Sequence, residues 1–233
     1  MKRTLLLFVL FSQACLGQVT NHPNTSAKDS VAKKHFFISI NYGINLPTDN
    51  YGTATNTIAS NQIQGYAKTG THANVAGGVR VSGNISLLIK TGLDMNNSDN
   101  PVTNTQYSGG FKIWHVLCGV SYEVAPSQYT LLRVYALAGY MVANYPETTI
   151  NVMGITETDA FKNSNSLGYS MGIGFERKFN TTWGLAANLA YSASYLTYPY
   201  YNVSINGTIV SQSSAISMLY GSAEITVGLV LHL

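Results

Sequence analysis

The stretch "LGYSMGIGFERKFNTTWGLAANLAY" runs from Leu167 to Tyr191 and alternates with a period of two. Leu167, Tyr169, Met171, Ile173 and Phe175 interleave with Gly168, Ser170, Gly172, Gly174 and Glu176. After a polar turn, Trp183, Leu185, Ala187, Leu189 and Tyr191 interleave with Gly184, Ala186, Asn188 and Ala190. That period belongs to β-strands, whose successive side chains point to opposite faces. Each strand therefore carries large apolar groups on one face and very small ones on the other. A soluble sheet with one buried face turns a polar face to water. Here the face left for water would hold Gly172, Gly174, Ala186 and Ala190, which solubilise poorly. The arrangement that suits both faces is a sheet closed on itself, with the apolar face against lipid.

The pattern recurs along the chain. Phe36 to Leu46, Ala73 to Ser82, Ile85 to Met95, Ile113 to Tyr122, Leu132 to Tyr140 and Leu219 to Leu233 alternate in the same way. With the opening pair they make eight strands of about ten residues or more, with no convincing helix between them. The connections alternate in length as well. "SGN", "EVAPSQY" and "ERKFNTT" are short, whereas Pro47–Gly70, Asn96–Gly110, Tyr145–Ser166 and Thr197–Ala215 are long. An even number of such strands, with turns at one end and loops at the other, predicts an all-β, eight-stranded, antiparallel up-and-down transmembrane β-barrel over 35–233. Closure pairs every backbone N–H and C=O, as hydrocarbon requires.

Composition agrees with that reading. Charged residues make up 10% of the chain, against about 25% in soluble domains. The net charge of +3 comes partly from Lys2 and Arg3, and the remaining cations are scattered, so nucleic acid is not an expected partner. Lys2 and Arg3 precede the apolar run "TLLLFVLF" and the small-residue pattern "CLGQ". Residues 1–17 thus read as a signal peptide cut between Gly17 and Gln18. A competing reading makes Cys15 a lipidated cysteine, although Ser12 and Gln13 match that pattern poorly. Residues 18–34 are polar, lack periodicity and read as a disordered lead-in. Cleavage leaves Cys118 without an intramolecular disulfide partner.

The signal peptide, the eight alternating segments and the final strand "SAEITVGLVLHL" together resemble the small outer-membrane β-barrel family, the OmpA-like and OmpX-like group. The resemblance spans about Lys34 to Leu233 and implies a monomer in the outer membrane of a Gram-negative cell, with long loops outside and short turns in the periplasm. It implies membrane lipid and the barrel-assembly machinery as partners. Members usually end in an aromatic residue, where this chain has Leu233.

Outward aromatics gather near strand ends. Tyr122, Phe175 and Trp183 lie toward the turns, and Trp114, Tyr140, Tyr169 and Tyr191 toward the loops, as an interfacial girdle requires. Arg80, Lys90, Asp94, Arg133, Glu176 and Glu224 face inward, with Glu123 at the rim. Unpaired charge is costly there, so a lumen salt-bridge cluster is expected, centred on Lys90 with Glu224 and joined by Arg133 or Arg80. The competing reading of these charges is a gated path for ions. Neither His72 nor His115 has the serine neighbour that nucleophilic catalysis needs, and no His, Cys, Asp or Glu spacing suggests a metal. No catalytic residue, cofactor or metal ligand is assigned. In the loops, Asn206-Gly207 between alternating β-formers predicts a two-residue hairpin, and Met153-Gly154 a similar one. Such hairpins would extend the wall as a projecting sheet able to meet an extracellular protein or matrix ligand. Function therefore reads as a non-enzymatic structural or surface-interaction role. A narrow channel or carrier, or a lipid-modifying enzyme, are the alternatives.

Overall fold

The computed structural model describes residues 36–52, 65–99, 105–199, 201–213 and 215–233. The 1–17 signal peptide with its Gly17–Gln18 junction, Cys15 and the 18–34 lead-in lie outside the described residues. The elements are β1 (Phe36–Thr48), α1 (Asp49–Gly52), β2 (Gly70–Ser82), β3 (Ile85–Asn97), β4 (Thr105–Ser108), β5 (Gly110–Ser127) and β6 (Thr130–Asn144). They continue with β7 (Glu147–Val152), β8 (Ile155–Phe161), β9 (Ser164–Lys178), β10 (Trp183–Tyr198), β11 (Tyr201–Ile205), β12 (Thr208–Ser213) and β13 (Ile216–His232).

Eight strands close into a barrel in the order β1-β13-β10-β9-β6-β5-β3-β2, each hydrogen-bonded on both sides. Every neighbouring pair is antiparallel, including the closing pair β1 and β13, where Phe37 faces His232 and Thr48 faces Gly221. The large apolar face is outermost: Ile40 is 65% exposed and Val227 59%. On β5 the outward apolar run from Trp114 to Val124 ends loopward at exposed Lys112. At about 3.3 Å per residue and a tilt near 40°, that run spans about 25 Å, the height of a lipid-facing band.

The glycine faces make room for large lumen side chains from neighbouring strands. A Cβ on Gly172 would lie 2.6 Å from the Tyr135 hydroxyl, and one on Gly78 would lie 2.6 Å from a Leu88 methyl. A cavity of about 40 Å³ remains at mid-height, lined by Asn41, Asn74, Lys90, Tyr135, Asn188 and Glu224 among others. Side chains thus fill most of the lumen and leave a small polar-lined pocket.

At the loop end, five strands of the barrel wall continue into a second sheet of order β12-β11-β8-β7-β4. This order repeats that of β13, β10, β9, β6 and β5, so each projecting strand grows from one barrel strand. Pro146 separates β6 from β7 and Pro199 separates β10 from β11. Proline lacks an amide proton and cannot continue a ladder, which places the break between the sheets there. Gly109, with φ of +84°, makes the corresponding bend between β4 and β5. The turn at Asn206 and Gly207 has φ of +48° and +80° with Ile205 opposite Thr208, and Met153 and Gly154 show the same left-handed pair. Such dihedrals define the two-residue hairpin turn that Asn-Gly favours.

Two features depart from expectation. A one-turn helix, α1, follows β1, and its Tyr51 is completely buried. The projecting sheet also draws a strand, β4, from the loop between β3 and β5, which has no turn signature.

Candidate functional site

Lumen charges fall into two groups at different heights, set by strand register. Toward the loop end, Lys90 Nζ donates to Glu224 Oε2 at 2.7 Å, and Ser192 donates to Glu224 Oε1 at 2.5 Å. Asp94 Oδ2 accepts from the Tyr220 hydroxyl at 2.6 Å, and its Oδ1 accepts from His72 Nδ1 at 2.5 Å. Asn74 Nδ2 donates to the other ring nitrogen, His72 Nε2, at 2.8 Å. Lys90, Asp94, Glu224 and His72 are all buried. Buried charges of this kind persist only when they are paired and hydrogen-bonded.

Arg133 and Arg80 do not join this group, contrary to the expected single cluster. Register puts Arg133 opposite Glu123, near the turns. There Glu123 stands at the turn-end rim and is nevertheless buried: its Oε1 accepts from Arg133 Nε and its Oε2 from Arg80 Nη2, both at 2.9 Å. Glu176 accepts from His232 Nε2 at 2.5 Å and lies 3.9 Å from Arg133 Nη2. The Arg133 guanidinium also sits over the Phe37 ring at 4.1 Å. Arg133 and Phe37 line both the mid-height cavity and a vestibule of about 650 Å³ at the turn end, and so separate the two.

The loop end is closed by rings. Tyr51 packs edge-on against Phe111 and Tyr220, both at 5.0 Å. Tyr145 meets Phe111 at 5.0 Å and Phe161 at 4.4 Å, and Tyr198 meets Tyr145 at 5.5 Å. Met141, Leu196 and Met218, also fully buried, fill the space between them. The Tyr51 hydroxyl donates to Asn96 Oδ1 at 2.8 Å and ties α1 to β3. Sequence reasoning missed this plug, since one helical turn carries no periodicity to read.

Of the outward aromatics, Trp114, Tyr122, Tyr140, Tyr169, Phe175 and Trp183 stand on the outer wall at roughly half exposure. Tyr191 is more covered. Its hydroxyl passes over Gly221 and donates to Asp49 Oδ2 at 2.6 Å. Asn206 also acts beyond its own turn, its Oδ1 accepting from the Thr156 amide at 3.1 Å and linking β11 to β8. His72 is held by Asp94 as the base of a catalytic triad is, but an asparagine occupies its other side.

No protein-family profile matches the sequence, and no curated protein matches it. Solved structures do match. A major outer membrane protein from Thermus thermophilus is similar at TM-score 0.53 and 12% identity, over 86% of this chain and 100% of that one. OprG from Pseudomonas aeruginosa gives 0.49 at 10% identity, over 86% and 96%. Ail from Yersinia pestis gives 0.46 at 12% identity, over 84% and 98%. What the chain shares with the Thermus protein is its fold, that of the small outer-membrane β-barrels.

Proposed function

We propose that the protein sits in the outer membrane of a Gram-negative cell, loops outward, as a non-enzymatic barrel that displays a protein-binding sheet. The edge of β12 carries this reading. Among the described residues, Thr208–Ser213 is hydrogen-bonded to β11 on one side and is the last strand of its sheet. It contains no charge and no proline, and Ile209 is 64% exposed. Proteins ordinarily protect such an edge with lysine, proline or a cover, because unpaired N–H and C=O groups recruit other strands. β12 has only a local irregularity, where Val210 is skipped as the register moves from Ser211 to Ile209. The fitting occupant is an extended segment of another protein, added as a sixth strand through backbone hydrogen bonds. With no charge on the edge, side-chain fit to Ile209 and Val210 sets preference.

The lumen contributes to this role by being filled. Eight strands enclose space that side chains occupy, and here rings occupy the outer half. A solute would have to displace the Tyr51 plug and the Lys90–Glu224 pair, which favours display over transport.

Two measurements test the reading. Cells expressing the protein should adhere to surfaces coated with extracellular proteins, and the adhering partner should slow exchange of Thr208–Ser213 amides in the purified barrel. Ile209→Lys with Val210→Lys should abolish adherence while leaving the heat-dependent mobility shift of the folded barrel in SDS. Adherence that survives both lysines, or protection confined to other strands, would overturn the edge as the contact.

A further inference from the structure

The outer wall of the barrel carries charge only at its two ends. Among the described residues, the outward-facing charges of the barrel strands are Lys112 on β5 and Arg177 on β9, and both are cations. Register places Asn144 opposite Lys112 and Thr130 opposite Arg177. The run of β6 from Thr130 to Asn144, at about 3.3 Å per residue and a tilt near 40°, sets the two cations roughly 30–40 Å apart along the membrane normal. A hydrocarbon core is about 30 Å thick, and the headgroups extend it to about 40–45 Å. Each cation therefore stands at the headgroup level of one leaflet.

At the turn end the cation is aimed by its surroundings. Arg177 Nη1 donates to Thr130 Oγ1 at 3.1 Å, and the guanidinium lies 5.7 Å from the centre of the Tyr129 ring, within cation–π range. Backbone bonds fix the aromatic residues around it. The Lys178 amide donates to the Tyr129 carbonyl at 2.8 Å, and the Phe179 amide donates to the Trp183 carbonyl at 2.9 Å. Tyr129, Phe179 and Trp183 are all exposed, Phe179 at 61%. One step loopward, Leu132 and Phe175 face each other on the wall and begin the apolar band. Exposed rings at that level suit the membrane interface, and a guanidinium fork suits phosphate oxygens.

Charge at this end favours an anion. The carboxylates of Glu123 and Glu176 are buried in the lumen, where Arg133, Arg80 and His232 hold them, so neither competes for Arg177. A zwitterionic headgroup brings its own cation to a positive wall, and an anionic one does not. We infer that Arg177, with Tyr129, Phe179 and Trp183, forms a binding site for the phosphodiester of an anionic phospholipid in the leaflet at the turn end. The site rests on the membrane-spanning barrel and shares no residue with the β12 edge.

The chain has two tryptophans, Trp114 toward the loop end and Trp183 in the site, so Trp114→Phe leaves Trp183 as the reporter. The test folds the processed chain with that change into phosphatidylcholine vesicles and measures quenching of Trp183 by brominated-chain lipids. Brominated phosphatidylglycerol should show about fivefold higher relative affinity than brominated phosphatidylcholine, the worth of one basic side chain at an anionic surface. Arg177→Gln should bring the two lipids to parity. Lys112→Gln, at the other end of the wall, should leave the preference intact. The heat-dependent SDS shift checks that each variant is folded. Thr130→Val, which removes the bond that aims the guanidinium, should lower the preference and decides the matter if Arg177→Gln does not fold. Equal quenching by the two lipids in the Trp114→Phe protein overturns the site, as does a preference that folded Arg177→Gln or Thr130→Val leaves unaltered. Absence of the SDS shift in the wild type would overturn the membrane-spanning barrel and the site together, whereas a folded barrel without lipid preference overturns the site alone.

Discussion

Barrel and projecting sheet are made from the same alternation and the same antiparallel hairpins, yet they meet opposite fates at their edges. In the barrel, β1 finds β13 and every strand is paired on both sides. In the projecting sheet, β12 and β4 end the order with one neighbour each among the described residues. The difference begins with which strands continue. β5, β6, β9, β10 and β13 pass beyond the plug, whereas the chain after β1 turns into α1 and inserts Tyr51 into the lumen. Closing the outer sheet would need strands from that side of the wall. Among the described residues, the side that supplies the plug is thus the side absent from the extension, and occlusion and open edges arise together. Stability resides in the closed part, and the recognition proposed for β12 would reside in the open part.

The comparison breaks most severely at Glu224. Glu224→Ala leaves Lys90 and the Asp94–His72 pair around an uncompensated hole, and removing one partner of a buried pair costs about 3–5 kcal/mol. The expected result is a lower urea midpoint for the folded barrel and loss of its compact SDS species at lower temperature. Lys90→Met combined with Glu224→Gln should recover part of that loss. An unchanged midpoint in Glu224→Ala would mean that the pair adds nothing to barrel stability.

Tyr51→Ala comes next and separates plug from wall. Truncating a fully buried ring costs about 3 kcal/mol where the site cannot collapse. Here the loss falls on the mouth, since β1 to β13 pairing does not depend on it. Wild-type protein in a planar bilayer should be electrically silent, while Tyr51→Ala should show brief openings. Steady conductance from the wild type would place a path elsewhere in the lumen and revive the channel reading.

How much of this was legible follows from the kind of signal each feature leaves. Alternation names every barrel strand, because lipid on one side and a filled lumen on the other impose period two on each. The Lys90–Glu224 contact could be read from inward direction and height alone. The His72–Asp94 contact was equally readable and was missed. Folding the chain at the "SGN" turn sets His72 directly opposite Asp94, and one strand further Gly92 faces His115. Spacing along the chain hides such a group, because its members come from β2, β3, β5 and β13 and share only a height. Tyr51 was not readable by any periodic argument. It works from a single helical turn whose position depends on Asn96, Phe111 and Tyr220 together. β4 likewise owes its strand state to β7, which it pairs from Thr105 to Ser108.

A smaller effect is expected at Gly207, and it sharpens the contrast between the two sheets. Its φ of +80° suits glycine, and a side chain there costs about 1 kcal/mol. Gly207→Ala should therefore speed amide exchange across β11 and β12 and leave the barrel amides unchanged. Slowed or unaltered exchange in Thr208–Ser213 would show that β8, not the turn, holds β11 in place through its pairing with Tyr201–Ile205.

The smallest expected effect is a pH dependence confined to the projecting sheet. Asp159 on β8 lies between Thr148 of β7 and Val203 of β11, with its Oδ1 buried and lacking a hydrogen-bond partner. Burial first, and the Glu157 carboxylate second, raise its pKa above the usual carboxylate value. A carboxyl whose folded pKa lies above its unfolded one is penalised when ionised. The penalty is complete above the folded pKa, is relieved as pH falls through it, and is gone below the unfolded value. The sheet should thus hold together better in mild acid than at neutral pH, the reverse of a salt-bridged aspartate. Corrected for intrinsic exchange rates, β8 and β11 amides should gain protection on acidification, and Asp159→Asn should be protected at neutral pH and lose the slope. Barrel strands, whose carboxylates Glu224, Asp94 and Glu123 all have partners, should show no gain over the same interval. A slope that persists in Asp159→Asn would assign the pH response to a different group and leave the two sheets alike in this respect.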